Sequence, residues 1–262
     1  MALQDPEAGR VIELAKPLDP NNLPWTILEE QTDWVQRIVL IYGPSGAGKT
    51  RLAAQFPKPL LLSCDPGTIG GATSAIEFGI QQMKISSYQQ LLDLMPTLKA
   101  AAGVHFQTLI IDSLSYLGKT IMAAVLLSAG REIPRFEEYN LNYARTAKII
   151  NNFAELKCHL VFTAVDKFDK DEVTGKIMGG PDLVGKLRTE LPQACDLVAR
   201  LFTQTGYDAQ GKLQVQYKFR SVPDDMYVGK DRTRLIAKEG ITSIEAFNVL
   251  FKPEELNPQP QA

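Results

Sequence analysis

The first sharp pattern along the chain is an apolar run, Ile38-Val39-Leu40-Ile41-Tyr42, that stops at Gly43. A short unbroken apolar run closed by a turn residue predicts a strand buried on both faces, as in a parallel sheet. Residues 50–55 read as a helix halted before Pro57. The alternation then recurs. Leu60-Leu61-Leu62 predicts a second strand, and Thr108-Leu109-Ile110-Ile111, ending at Asp112, a third. A fourth is His159-Leu160-Val161-Phe162-Thr163. Ser87 is placed to cap a helix with Leu91, Leu92, Met95 and Leu98 on one face. Further helices are expected around residues 117–127 and over about 137–156, the second with Ala147, Ile150 and Phe153 facing inward. Strands alternating with helices predict an α/β fold with a mainly parallel sheet and helices on both faces.

The pattern changes in the C-terminal third. Leu213, Val215, Tyr217 and Phe219 alternate with Lys212, Gln214, Gln216, Lys218 and Arg220. That period of two predicts an antiparallel strand with one buried and one wet face. Turn signals flank it at Gly206-Tyr207-Asp208 and Pro223-Asp224-Asp225. Residues 1–36 are rich in proline and polar groups and read as an extension wrapping the core, anchored by Trp25 and Trp34. Residues 37–251 are expected to form the domain and 252–262 a disordered tail. Leu235, Ile236, Ile241 and Phe247 suggest a packed terminal segment.

Composition narrows the class. With 262 residues, 45% of them hydrophobic, the chain can bury one sizeable core. No apolar stretch reaches 18 residues, which argues against a membrane span. The N-terminus shows no basic segment followed by an apolar run, so a cytoplasmic location is expected. Cys64, Cys158 and Cys195 lie far apart and read as reduced, mostly buried thiols. With only His105 and His159 available, and neither at ligand spacing, a zinc site is not expected. A net charge of −2 means that any nucleic-acid contact must come from a local basic patch.

The chemistry concentrates at Gly43-Pro44-Ser45-Gly46-Ala47-Gly48-Lys49-Thr50, which matches GxxxxGK[ST] in full. An apolar strand precedes it and a helix follows, the context the motif requires. Glycines let the backbone curl so that N–H groups face phosphate oxygens, and the helix start adds positive potential. Lys49 is expected on the β- and γ-phosphates of ATP and the Thr50 hydroxyl on Mg²⁺. Asp112, ending a buried strand taken to lie beside the motif's strand, suits a Mg²⁺ contact; it also reads as a cap for the helix after Ser113. Asp65, ending the strand between those two, reads either as a base orienting the attacking water or as a turn aspartate before Pro66-Gly67.

These pieces together resemble the RecA-like P-loop ATPases, and within them the phage nucleotide-binding proteins that include ATP-dependent single-strand annealing proteins. The resemblance covers about residues 37–236. It rests on the loop, on Leu109-Ile110-Ile111-Asp112-Ser113, on the long helix leading into the fourth strand, and on Gly175, Gly179-Gly180-Pro181, Leu183-Val184-Gly185-Lys186 and Cys195-Asp196-Leu197-Val198. It implies a RecA-like domain with an antiparallel C-terminal extension, binding of ATP and Mg²⁺, a homo-oligomeric ring or filament with ATP between subunits, and action on single-stranded DNA in phage recombination. It places DNA-binding loops near 129–137, with Arg131, Arg135, Phe136 and Tyr139, and near 166–181, with Phe168 and nearby Lys186 and Arg188. Over residues 166–176 three lysines face four acids, a net −1. The resemblance also implies that Lys230 and Arg232, sharing one face of a strand, reach a neighbour's γ-phosphate; the same residues also read as part of a solvated charge cluster with Arg234 and Lys238. Two departures stand out. Ala164 and Val165 follow the fourth strand where a polar γ-phosphate sensor is usual, leaving Thr163 as substitute. Asp65 stands where a glutamate base is usual, so slow turnover is expected. A P-loop small-molecule kinase with residues 129–136 as lid, and a nucleotide-gated assembly protein without a DNA role, are the competing readings.

Overall fold

A computed structural model describes residues 3–4, 11–12, 35–66, 72–170, 172, 175, 177–208 and 210–251. Residues 1–35 form one unit and residues 36–262 a second. In the first, β1 (Leu3–Gln4) pairs antiparallel with β2 (Val11–Ile12). Trp25, Trp34 and the tail 252–262 lie outside the described residues.

The second unit begins with β3 (Ile38–Tyr42), α1 (Lys49–Ala53), β4 (Pro59–Ser63), α2 (Ala72–Glu77) and β5 (Gln81–Lys84). Next come α3 (Tyr88–Ala101), β6 (Thr108–Asp112), α4 (Leu114–Ala129), α5 (Phe136–Ala154) and β7 (His159–Ala164). β8 (Asp166–Lys170) and β9 (Ile177–Pro181) form a ribbon before α6 (Leu187–Ala194). The chain closes with β10 (Leu197–Tyr207), β11 (Leu213–Arg220), β12 (Lys230–Asp231), β13 (Glu239–Ile241) and α7 (Glu245–Asn248).

Nine of these strands make one sheet, ordered β13-β11-β10-β3-β7-β6-β4-β5, with β12 also paired to β10. From β10 to β5 every pairing is parallel; β11, β12 and β13 join antiparallel. This is the expected α/β architecture with its antiparallel extension. Period two sorts the side chains onto two faces. Leu40, Tyr42, Leu109, Ile111, Leu160 and Phe162 pack with α3, α4 and α5. Val39, Ile41, Ile110, Val161, Leu197 and Ala199 pack on the other face with Leu52 and Ala53 of α1 and with Phe247, Leu250 and Phe251. Ser87 accepts from the Gln90 amide at 3.1 Å and caps α3 as expected.

Four expectations change. β6 is not beside β3, because β7, later in the chain, is inserted between them. β4 lies outside both rather than between them. The predicted loop 166–181 is partly the β8–β9 ribbon. The apolar stripe of β11 is mostly uncovered: Leu213, Val215 and Tyr217 are 56%, 49% and 47% exposed, and only Phe219 is buried. The register gives the reason. β10 pairs with β3 only over its first four residues, then runs on as a two-stranded ladder with β11 that has left the core. Phe219 lies opposite buried Leu201, whereas Tyr217, Val215 and Leu213 lie opposite exposed Thr203, Thr205 and Tyr207. The terminal segment is likewise mixed, with Ile236 and Phe247 buried and Leu235 and Ile241 exposed.

Candidate functional site

The parallel strands deliver their C-terminal ends to one edge, and the loop after β3 curls there. Its curl depends on left-handed backbone at Gly46 (φ 78°) and Gly48 (φ 87°), which side chains rarely adopt. Gly43 is constrained differently. A Cβ there would lie 2.0 Å from the Leu201 carbonyl oxygen of β10, so the loop leaves the sheet through a gap only glycine fits.

Lys49 and Thr50 open α1. The Lys49 ammonium donates to the Gly43 and Pro44 carbonyls, both at 2.9 Å. Burial pulls its pKa down, while Asp112, Asp166 and Asp65 pull it back up. The Thr50 hydroxyl donates to Asp112 Oδ2 at 2.7 Å. The other oxygen of that carboxylate accepts from the Thr163 hydroxyl. β7 makes this possible: it lies between β3 and β6, pairing Thr163 with Ile41 and Phe162 with Ile111, so Thr163 fills the step between the loop strand and Asp112. Burial raises the Asp112 pKa despite both hydroxyl bonds.

Asp65, just past β4, accepts at Oδ1 from the Ser113 amide at 3.1 Å and the Ser113 hydroxyl at 2.9 Å. Ser113 sits at the start of α4, and its hydroxyl is engaged with Asp65 rather than with the helix. The two aspartates thus arrive from adjacent strands and share one cavity.

That cavity is about 580 Å³. Its wall includes Ser45, Gly46, Ala47, Gly48, Lys49 and Thr50 of the loop together with Asp65 and Asp112. Lys49 and Asp112 therefore face one space. A hydroxyl and a carboxylate 2.7 Å apart offer the hard oxygen donors that magnesium takes, and Lys49 supplies the cation for the phosphates. The residues present fit both groups.

Lys230 and Arg232 lie elsewhere and do not line this cavity. The Lys230 ammonium donates to the carbonyls of Pro192, Gln193 and Cys195 at 3.2, 2.5 and 2.7 Å, and Arg232 donates to Gln193 at 2.9 Å. Both converge on the last carbonyls of α6. In the two candidate DNA loops, Arg131 is paired with Glu138 at 2.8 Å and Arg188 with Asp169. Phe168, Phe136 and Tyr139 are exposed.

The reading of the sequence missed Ser113 as partner of Asp65, and missed Tyr116, Tyr217, Thr242 and Ser243 in the cavity wall. The first had a signal in its adjacency to Asp112. Tyr116 follows within one turn on α4, and Tyr217, Thr242 and Ser243 come from β11 and the segment after β13, whose place in the molecule no local pattern specifies.

A glycine-curled loop, its lysine and hydroxyl, and a buried aspartate two strands away on one mainly parallel sheet define a P-loop nucleotide-binding domain. Residues 36–233 match the model of a family described as AAA domain, and the chain belongs to that family. No match is found among curated proteins. Among solved structures, the RadB recombinase is similar at 12% identity, over 70% of this chain and 79% of that chain, with a TM-score of 0.41. A prototypical ATPase from the type III secretion system of pathogenic bacteria is similar at 10% identity, over 64% of this chain and 52% of that chain, with a TM-score of 0.45. Among the described residues no helix is long and apolar enough to cross a membrane.

Proposed function

We propose that the chain binds MgATP in this cavity, hydrolyses it slowly, and uses the cycle to act on single-stranded DNA as a homo-oligomer, in the recombination or annealing setting that its resemblance implies. The observation that carries the nucleotide reading is the convergence of Lys49, Thr50 and Asp112 on one cavity beside the curled loop. Lys49 holds the terminal phosphates, and Thr50 with Asp112 holds the ion. Magnesium, when bound, draws charge from the β- and γ-phosphates. Asp65, fixed by two bonds from Ser113, is the carboxylate within the cavity that can orient a water. Its short side chain is the basis for expecting slow turnover.

Support for the DNA step is the exposed aromatic Phe168 on the β8–β9 ribbon beside exposed Lys167 and Lys170, with Phe136 and Tyr139 at the start of α5. Such rings give bases a stacking platform. The pairing of Arg131 and Arg188 within the chain favours the second reading, a nucleotide-gated assembly protein that does not touch DNA.

Lys49→Ala is expected to weaken ATP binding at least about 100-fold, read by calorimetry, because a buried charge contact to phosphate is lost. Unchanged affinity would overturn the site. Fluorescence anisotropy with labelled oligo-dT, with and without MgATP, separates the two readings. Binding at low salt that responds to MgATP supports the DNA role; no binding leaves the assembly reading.

A further inference from the structure

The cavity has a second end that the phosphate chemistry does not use. Asp65, Asp112, Ser113 and Tyr116 come from the β4–β6 side of the loop strand. Tyr217 on β11 and Thr242 and Ser243 after β13 come from the opposite side, beyond β10. β6 and β11 are four strand spacings apart, roughly 19 Å at the usual separation. The loop and α1, with Leu52 and Gln55, form the floor between them. A triphosphate held at Lys49 and Asp112 fills one end, so whatever the phosphates are attached to must extend toward Tyr217.

The far end has the makings of a base pocket. Tyr217 is a half-exposed aromatic, and a Cβ added at Gly48 would lie 3.7 Å from its Cδ1, so the ring stands directly against the phosphate loop. The ring is held there by sheet pairing: Tyr217 lies opposite Thr203, and its carbonyl accepts from the Thr242 amide at 2.8 Å. That bond also brings the Thr242 side chain to the cavity wall. Its hydroxyl oxygen is buried without a hydrogen-bond partner. An aromatic face beside an unsatisfied hydroxyl matches the two needs of a nucleobase, a stacking surface and an edge contact.

We propose that Tyr217 stacks on the purine of the bound nucleoside triphosphate and that the Thr242 hydroxyl bonds the base edge, so that the β10–β11 ladder, which leaves the core, is there to build the nucleobase subsite. This deepens the MgATP reading and rests on it. It also accounts for an apolar position on β11 that packs against nothing in the core.

The test compares ATP, CTP and inorganic tripolyphosphate, each with Mg²⁺, by calorimetry on the full chain. Wild type is expected to bind ATP more tightly than CTP, because a purine offers the larger stacking face. Tyr217→Ala is expected to weaken ATP on the order of tenfold, the usual scale of a lost base stack, and to leave tripolyphosphate unchanged. Tyr217→Phe should retain ATP affinity, and Thr242→Val should weaken ATP but not tripolyphosphate. An equal loss for ATP and tripolyphosphate in Tyr217→Ala, or no loss for ATP, overturns the subsite. Wild type that binds neither ATP nor tripolyphosphate overturns the nucleotide site itself, a different result.

Discussion

Asp112 keeps 3% of its surface exposed, and burial raises the pKa of its carboxyl against the pull of Thr163, Thr50 and Lys49. A carboxyl with a raised folded pKa holds its proton more tightly in the native than in the unfolded chain. Its stabilising contribution is therefore complete below the unfolded value, about 3.9, and is lost as pH rises through the folded value. The charged form of this carboxylate is therefore a cost to folding, one that holding a cation would require. Asp112→Asn keeps the shape and removes the buried charge; one threonine hydroxyl still donates to the amide oxygen, and the other must turn to accept from the amide nitrogen. In buffer free of nucleotide and Mg²⁺ at pH 7 its Tm is expected to exceed that of wild type. The gap should close as pH falls toward 4, and Mg²⁺-dependent ATP hydrolysis should be lost. A lower Tm at pH 7 would show that the carboxylate stabilises the fold. At this scale Lys49, Thr50 and Asp112 were legible because motif spacing and the end of an apolar run mark them. The Asp65–Ser113 and Asp112–Thr163 pairs depend on sheet order, which spacing does not reveal.

Gly43 joins residue chemistry to element packing. Its φ of 149° and the 2.0 Å approach of a Cβ to the Leu201 carbonyl make it the point where β3, β10 and the loop meet. Gly46 also has a left-handed φ, 78°, but a Cβ there meets nothing within 4 Å. Gly43→Ala is expected to cost on the order of 2–4 kcal/mol, since backbone must move, and Gly46→Ala only about 1–2 kcal/mol for the backbone conformation. Urea midpoints compare them; equal losses would mean that the contact with β10 is unimportant. Elements were legible where burial on both faces wrote a continuous apolar run, as in β3, β6 and β7. β5 was invisible because Gln81, Gln82, Met83 and Lys84 are all exposed on a sheet edge. β11 was visible as a strand, but its apolar alternation was read as burial when three of its four apolar residues are left about half exposed. Alternation reports which residues share a face, not whether another layer covers it.

Across the whole molecule, the question is whether one chain completes another's site. Lys230 and Arg232 share a face, but their surroundings divide them. Lys230 is fixed by three carbonyls at the end of α6, where a cation satisfies groups the helix leaves open. Removing it in Lys230→Met should lower Tm. Arg232 has one carbonyl bond and a loose 3.6 Å approach to Asp196, with 56% of its side chain exposed, so it can leave at little cost. If either residue serves a neighbour in trans, it is Arg232. Arg232→Ala should then keep wild-type Tm and lose most ATPase activity. Lys49→Ala lacks a working loop but still presents Arg232. Mixed in equal amounts, these two inactive variants are expected to recover about a quarter of wild-type activity, because one site in four pairs an intact loop with an intact arginine across a head-to-tail interface. A mixture as inactive as its components, under conditions where the wild type assembles, would confine Arg232 to its own chain and leave it as a second cap on α6.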